Sequence, residues 1–199
     1  MKKKHSALLM FLVVLSTIGV FLIVHFSRIT LNRILYQKGI TITNQTPISI
    51  EIIIDKSKLL KDIDFNNMSS QQTKAIYDGV IYQTDTTAFY LSSISYANDG
   101  TEWLSLDFNI KYYFPKEGKI IYNCEVKSEN GIPFFSFGVN TISKQVRDSF
   151  NTFENAVSIH GAGPKSFSVY LRTDVYLTAQ NKIIFTVDGF NEISYISNL

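Results

Sequence analysis

Alternation of apolar and polar residues dominates the chain from residue 40 onward. Between Trp103 and Phe114, the residues Leu104, Leu106, Phe108, Ile110, Tyr112 and Phe114 share one side, and Ser105, Asp107, Asn109 and Lys111 share the other. A period of two with one apolar side predicts a half-buried strand of an antiparallel sheet. The same rule sets Phe167, Val169, Leu171, Thr173, Val175 and Leu177 against Ser168, Tyr170, Arg172, Asp174 and Tyr176, and Ile48, Ile50, Ile52 and Ile54 against Ser49 and Glu51. Further strands are expected over residues 87–96, 119–127, 133–139 and 182–188. Asn98-Asp99-Gly100, Pro115-Lys116-Glu117-Gly118 and Ser128-Glu129-Asn130-Gly131 supply turn residues that tolerate positive φ. They predict a meander of successive hairpins, followed by a last hairpin closed over residues 178–181.

Helical spacing is sparser. Ile142, Val146, Phe150, Phe153 and Val157 recur at steps of three and four, with Ser143 placed as a cap, which predicts one amphipathic helix packed on the sheet. Ser69-Ser70-Gln71-Gln72 has the form of a capping box, with Gly79 able to end the short helix it would open, and residues 55–63 are a weaker candidate. The expected fold class is therefore α+β: a mostly antiparallel β-sheet, or an open lipocalin-like barrel, with one packed amphipathic helix.

A different pattern fills the start of the chain. The twenty positions from Ala7 through Phe26 contain no Lys, Arg, Asp or Glu. At about 1.5 Å per residue such a run matches the roughly 30 Å hydrocarbon core of a bilayer. A cleaved secretory signal would need a shorter apolar region and a small-residue cleavage site, so a transmembrane signal anchor is expected. Lys2, Lys3 and Lys4 precede the run, while Arg28, Arg33 and Lys38 follow it. Cations on the short side favour a cytoplasmic tail and an extracytoplasmic body. The expected organisation is a tail at 1–6, the membrane helix at 7–26, a juxtamembrane stalk at 27–39 and one β-rich domain at 40–199. The expected location is the inner membrane of a bacterium, with the C-terminal domain on the periplasmic side.

Charge narrows the partners. Of nineteen Lys and Arg, sixteen remain when Lys2, Lys3 and Lys4 are set aside, against seventeen Asp and Glu. Such a balance argues against a nucleic-acid-binding body. One cysteine, Cys124, excludes an intramolecular disulfide and a Cys-rich metal site; it is either a buried small side chain or a thiol that pairs with another chain. His160 is the lone histidine of the body, without neighbouring ligands for zinc. A Cys124–His160 nucleophile pair would have to meet in the fold alone. The segment His160-Gly161-Ala162-Gly163-Pro164-Lys165-Ser166 lacks the spacing of a phosphate loop and is expected to connect helix and strand. No catalytic, metal-ligating or cofactor-binding set emerges, and the expectation is a protein that is not an enzyme.

Aromatic residues remain. Trp103, Phe108, Tyr112, Phe134 and Phe137 are read as core, or as the lining of a pocket for an apolar, lipid- or bile-salt-like small molecule.

The run Tyr90-Leu91-Ser92-Ser93-Ile94-Ser95-Tyr96, the alternating strand through Leu104 to Tyr113, the Gly118 turn and the closing strands around Tyr170 to Val187 resemble FidL-type proteins. With the basic tail and single membrane helix, the layout is similar to the small membrane-anchored companions of ToxR-like transcription activators, the ToxS, VtrC and FidL types. The resemblance implies an ectodomain that binds, and stabilises or gates, the ectodomain of a second single-pass membrane protein.

Overall fold

The computed structural model describes residues 14, 16–19, 29–59, 77–97, 102–123, 125–136, 145–163 and 165–198. The body is built mostly from antiparallel strands that pack as two curved sheets into a half-barrel. One sheet runs in the order β10 (Val157–Gly163), β11 (Ser166–Arg172), β4 (Trp103–Tyr112), β3 (Thr87–Tyr96) and β2 (Tyr82–Gln83). The other is organised by β12 (Lys182–Ser197), which pairs along its whole length with β1 (Ile40–Asp55). On its opposite edge β12 holds β5 (Glu117–Tyr122) towards its end and β8 (Val146–Arg147) near its start. β9 (Thr152–Phe153) follows β8, and β6 (Glu125–Glu129) with β7 (Ile132–Ser136) forms a separate hairpin.

The alternation read from the sequence becomes the core. Ile50, Ile52 and Ile54 of β1, with Ile183, Phe185 and Val187 of β12, face Phe89, Leu91 and Ile94 of β3, Leu104, Leu106, Phe108 and Ile110 of β4, and Phe167, Val169 and Leu171 of β11. Phe190 joins them out of phase. Gly189, at φ 85°, accompanies the register shift in which Ile48 pairs with Phe190 but Ile50 with Val187. The bulge turns the Phe190 ring inward, 5.2 Å from Phe89 and 5.4 Å from Phe167 between ring centres. Phe108 stacks on Phe167 at 4.6 Å, so rings from both sheets interlock at the centre.

A smaller core lies at one end. Helix α1 (Leu31–Leu35), capped by the Thr30 hydroxyl, buries Leu31, Ile34 and Leu35 against Ile40, Ile120, Tyr122, Ile193 and Tyr195. The segment expected as a stalk is, over these residues, folded onto the body. Its apolar spacing has a protein surface to cover.

Several expectations give way, each for a local reason. The stripe Val146, Phe150, Phe153 and Val157 is not helical: β8 and β9 form a tight hairpin, and Phe150 stands 75% exposed at its tip. Asp148 accepts the backbone N–H groups of Phe150 at 2.7 Å and Asn151 at 2.6 Å, a local closure that competes with the helix. Asn155, at φ 49°, then breaks the path before β10. No amphipathic helix therefore plugs the sheet between Val146 and Val157, while Ile142 and Ser143 lie outside the described residues. The strand expected to run to Leu177 stops at Arg172, whose partner is Trp103, the first residue of β4. With no neighbour left to pair, the chain turns into helix α2 (Thr173–Thr178), and this helix leads to the other sheet in place of the expected hairpin.

β5 likewise leaves the expected meander and joins β12. Residues 119–127 divide into β5 and β6, and Gly161 to Gly163 belong to the β10–β11 hairpin, not to a helix–strand connection. The turn expected at Ser128 to Gly131 forms, with Asn130 at φ 51° and Gly131 at φ 78°. The box at Ser69 to Gln72 lies outside the described residues; of the 55–63 candidate, Lys56–Lys58 forms one 3-10 turn.

Among the described residues no helix is long and apolar enough to cross a membrane. The expected span from Ala7 to Phe26 lies outside them except at position 14 and positions 16–19, which are helical.

Candidate functional site

Strand direction separates three of the five aromatic candidates. Trp103 opens β4 on its outer face, Phe108 points into the central core, and Tyr112 reaches the smaller core beside Phe114 and Tyr122. From Trp103 to Tyr112 the strand covers nine steps, roughly 30 Å at the usual strand rise. No single pocket can hold all three. Phe108 is fully buried against Phe167, which makes it packing. Phe134 lies in β7, while Phe137 and Cys124 lie outside the described residues. His160 is in β10 at the register shift between Ile159 and Gly161. Among the described residues no three His, Cys, Asp or Glu side chains gather where a metal ion could be held.

Trp103 does line a groove, of about 490 Å³, with Glu102, Arg172, Thr173, Asp174 and Leu177. The end of β11 pairing creates it. Thr173 N–H donates to the Glu102 carbonyl at 2.9 Å, fixing the start of α2 beside the start of β4. One helical turn then brings Leu177, 57% exposed, to the rim. Arg172 Nε donates to Asp174 Oδ1 at 3.0 Å and Nη2 donates to Oδ2, a two-pronged ion pair. Hydrogen bonding from Arg172 holds the Asp174 carboxyl below its ordinary pKa, and Asp174 raises that of Arg172. Both are charged at neutral pH. At the other end of α2, Lys56 Nζ donates to the carbonyls of Tyr176 at 2.9 Å and Ala179 at 2.7 Å while lying 4.8 Å from the Tyr176 ring centre, which fixes the helix. Burial lowers the Lys56 pKa.

The outer face continues from this groove along the sheet. Asp107 accepts hydroxyl hydrogens from Ser93 and Ser168, each at 2.6 Å, and from Ser105 at 3.2 Å. Three neighbouring strands are tied by one carboxylate. A second cleft, of about 340 Å³, opens where the sheets meet, lined by Thr84, Asp85, Thr86, Glu117, Lys119 and Glu192 among others, with Lys119 paired to Glu192 at 2.8 Å.

The sequence singled out Trp103 but missed Glu102, Arg172, Asp174 and Leu177, because alternation through residue 177 concealed α2. Asp174 in the first turn of that helix is the sequence signal that could have revealed it.

The opposite end of the body carries a different surface. Asn198 N–H donates to the Gly39 carbonyl at 2.9 Å and Ser197 N–H to that of Lys116 at 2.7 Å, so α1, the β4–β5 connection and the end of β12 converge. Tyr36, Tyr113 and Ile196, each close in sequence to this junction, are 47%, 52% and 40% exposed.

Comparison of the chain with protein families, with curated proteins and with solved structures found no match.

Proposed function

We propose that this chain is a single-pass, membrane-anchored accessory or regulatory protein of a bacterial cell envelope, whose extracytoplasmic β-rich domain binds a second membrane protein and stabilises or gates it. The observation that carries the reading is the junction at α1. The uncharged run 7–26 leads into a helix whose Leu31, Ile34 and Leu35 are buried in the body, so a membrane anchor would hold the domain close to the bilayer through a packed helix. Tyr36, Tyr113 and Ile196 are exposed around that junction, where a neighbouring single-pass protein would meet them. Binding only the folded partner raises that partner's stability by mass action, so the role requires no chemistry at the site. The resemblance to companions of ToxR-like activators is consistent with this reading.

Photo-crosslinking in native membranes tests it. A photoreactive residue at Tyr36 or Tyr113 is expected to give one discrete adduct with a membrane protein, an adduct abolished by Ile196→Asp. The partner's level is expected to fall when this chain is deleted. No adduct, or the same adduct from a photoreactive residue at Phe150 in the β8–β9 hairpin, which pairs with the far end of β12, rejects the reading. Protease added to spheroplasts is expected to digest the body; a protected body rejects the orientation.

A further inference from the structure

The groove at Trp103 lies at the end of the body away from the α1 junction, and its lining divides into two kinds of surface. Trp103 and Leu177 offer apolar area, the indole a flat face. Beside them stand Glu102, Thr173 and the Arg172–Asp174 pair, with two carboxylates against one guanidinium. Because Arg172 and Asp174 hold each other by two parallel contacts, their planar groups form a fixed edge with hydrogen-bonding capacity remaining at its rim.

This composition selects a ligand class. A wholly apolar molecule would desolvate the charged edge without replacing its hydrogen bonds, which is costly. An anion would meet one excess negative charge. A pyranose ring suits both surfaces: its C–H face packs on an indole, and its neighbouring hydroxyls each donate and accept, matching a carboxylate beside a guanidinium. The groove volume of about 490 Å³ falls within the ordinary range for small-ligand sites. Beyond it, the same outer face carries the half-buried Tyr170 and Asp107 with its attached serine hydroxyls. A longer chain of sugars would lie along these.

We propose that the groove formed by Trp103, Leu177, Glu102 and the Arg172–Asp174 pair binds a sugar unit of a neutral polysaccharide. The site is independent of the partner-binding reading, since it uses other residues at the opposite end of the body.

Trp103 is the sole tryptophan of the chain, so tryptophan emission reports the groove directly. The full-length protein, held in a polyoxyethylene detergent that carries no sugar headgroup, is titrated with neutral hexasaccharides of glucose and of N-acetylglucosamine. At least one is expected to shift the emission in a saturable way, and Asp174→Ala is expected to weaken binding about tenfold or more, the usual scale for losing a charged hydrogen-bond partner. Asp174 is exposed, and an unchanged melting temperature shows that the variant folds; if it melts lower, Leu177→Ser takes its place, with weaker binding again expected. Emission unchanged by every hexasaccharide overturns the proposal. Equal affinity in wild type and in the folded variant also overturns it, as does a response to tetramethylammonium alone, which would make the groove a cation site.

Discussion

Tyr195 shows how one side chain can tie a core to a turn. Its ring fills the smaller core, and its hydroxyl donates to the Pro115 carbonyl at 3.0 Å. Burial pushes the phenol up to about 12 from its ordinary 10.0, because the charged form is poorly solvated there. Between those values the folded state keeps a proton that the unfolded state has released, so this contribution is fully present below pH 10 and is lost as pH rises through about 12. Chemical denaturation across pH 8–12 is expected to show a fall in stability that is shallower in Tyr195→Phe. At neutral pH that variant is expected to lose about 1–2 kcal/mol, as the carbonyl it leaves is no longer paired. A Tyr195→Phe profile as steep as the wild type's would place the alkaline sensitivity elsewhere.

Among the elements, bulges and seams decide the architecture more than propensity does. Gly189 permits the bend that places Phe190 between the two sheets. Gly189→Ala puts a Cβ at φ 85° and is expected to cost about 1–2 kcal/mol by urea denaturation; no change would mean that the backbone relaxes without strain. At the seam, β5 has β12 on one edge and threonine side chains on the other. Thr86 Oγ1 donates to the Lys119 carbonyl, and Thr87 Oγ1 accepts the Ile121 N–H at 3.0 Å. Two hydroxyls thus take the place of a strand. Thr87→Val keeps the shape but orphans a buried donor, and about 1–3 kcal/mol of destabilisation is expected, together with faster amide exchange at Ile121. A neutral effect would show that the seam contributes nothing. The alternating strands at Leu104 to Ile110, Phe167 to Leu171 and Ile50 to Ile54 were legible because their period directly reflects one buried face. The β8–β9 hairpin and α2 were not, since Val146, Phe150, Phe153 and Val157 fit a helix in spacing and Thr173, Val175 and Leu177 fit a strand. What overrode these patterns was the Asp148 closure in one case and the end of β4 in the other. Trp103 was legible as an aromatic of interest, but its neighbours in the groove depend on that same strand ending.

For the molecule as a whole, two cores and two ends divide the labour. The larger core fastens the sheets, while the smaller one binds the helix that follows the uncharged run. The proposed partner surface and the proposed sugar groove sit at opposite ends of β4, so Ile196→Asp is expected to leave hexasaccharide binding unchanged and Asp174→Ala to leave crosslinking from Tyr113 unchanged. Loss of both by either variant would reveal one coupled site. The antiparallel pairing of β1 with β12, from Ile40 beside Ser197 to Asp55 beside Lys182, also governs how the chain reaches this state. A ribosome delivers β1 well before β12, so the long leading strand emerges with its pairing edge bare until β12 has been made. Its native mate must close a loop spanning most of the body, a slow event for a polypeptide rich in distant pairings. During that wait the exposed Ile-rich ribbon is open to mispairing, and holdase chaperones would be its natural guardians.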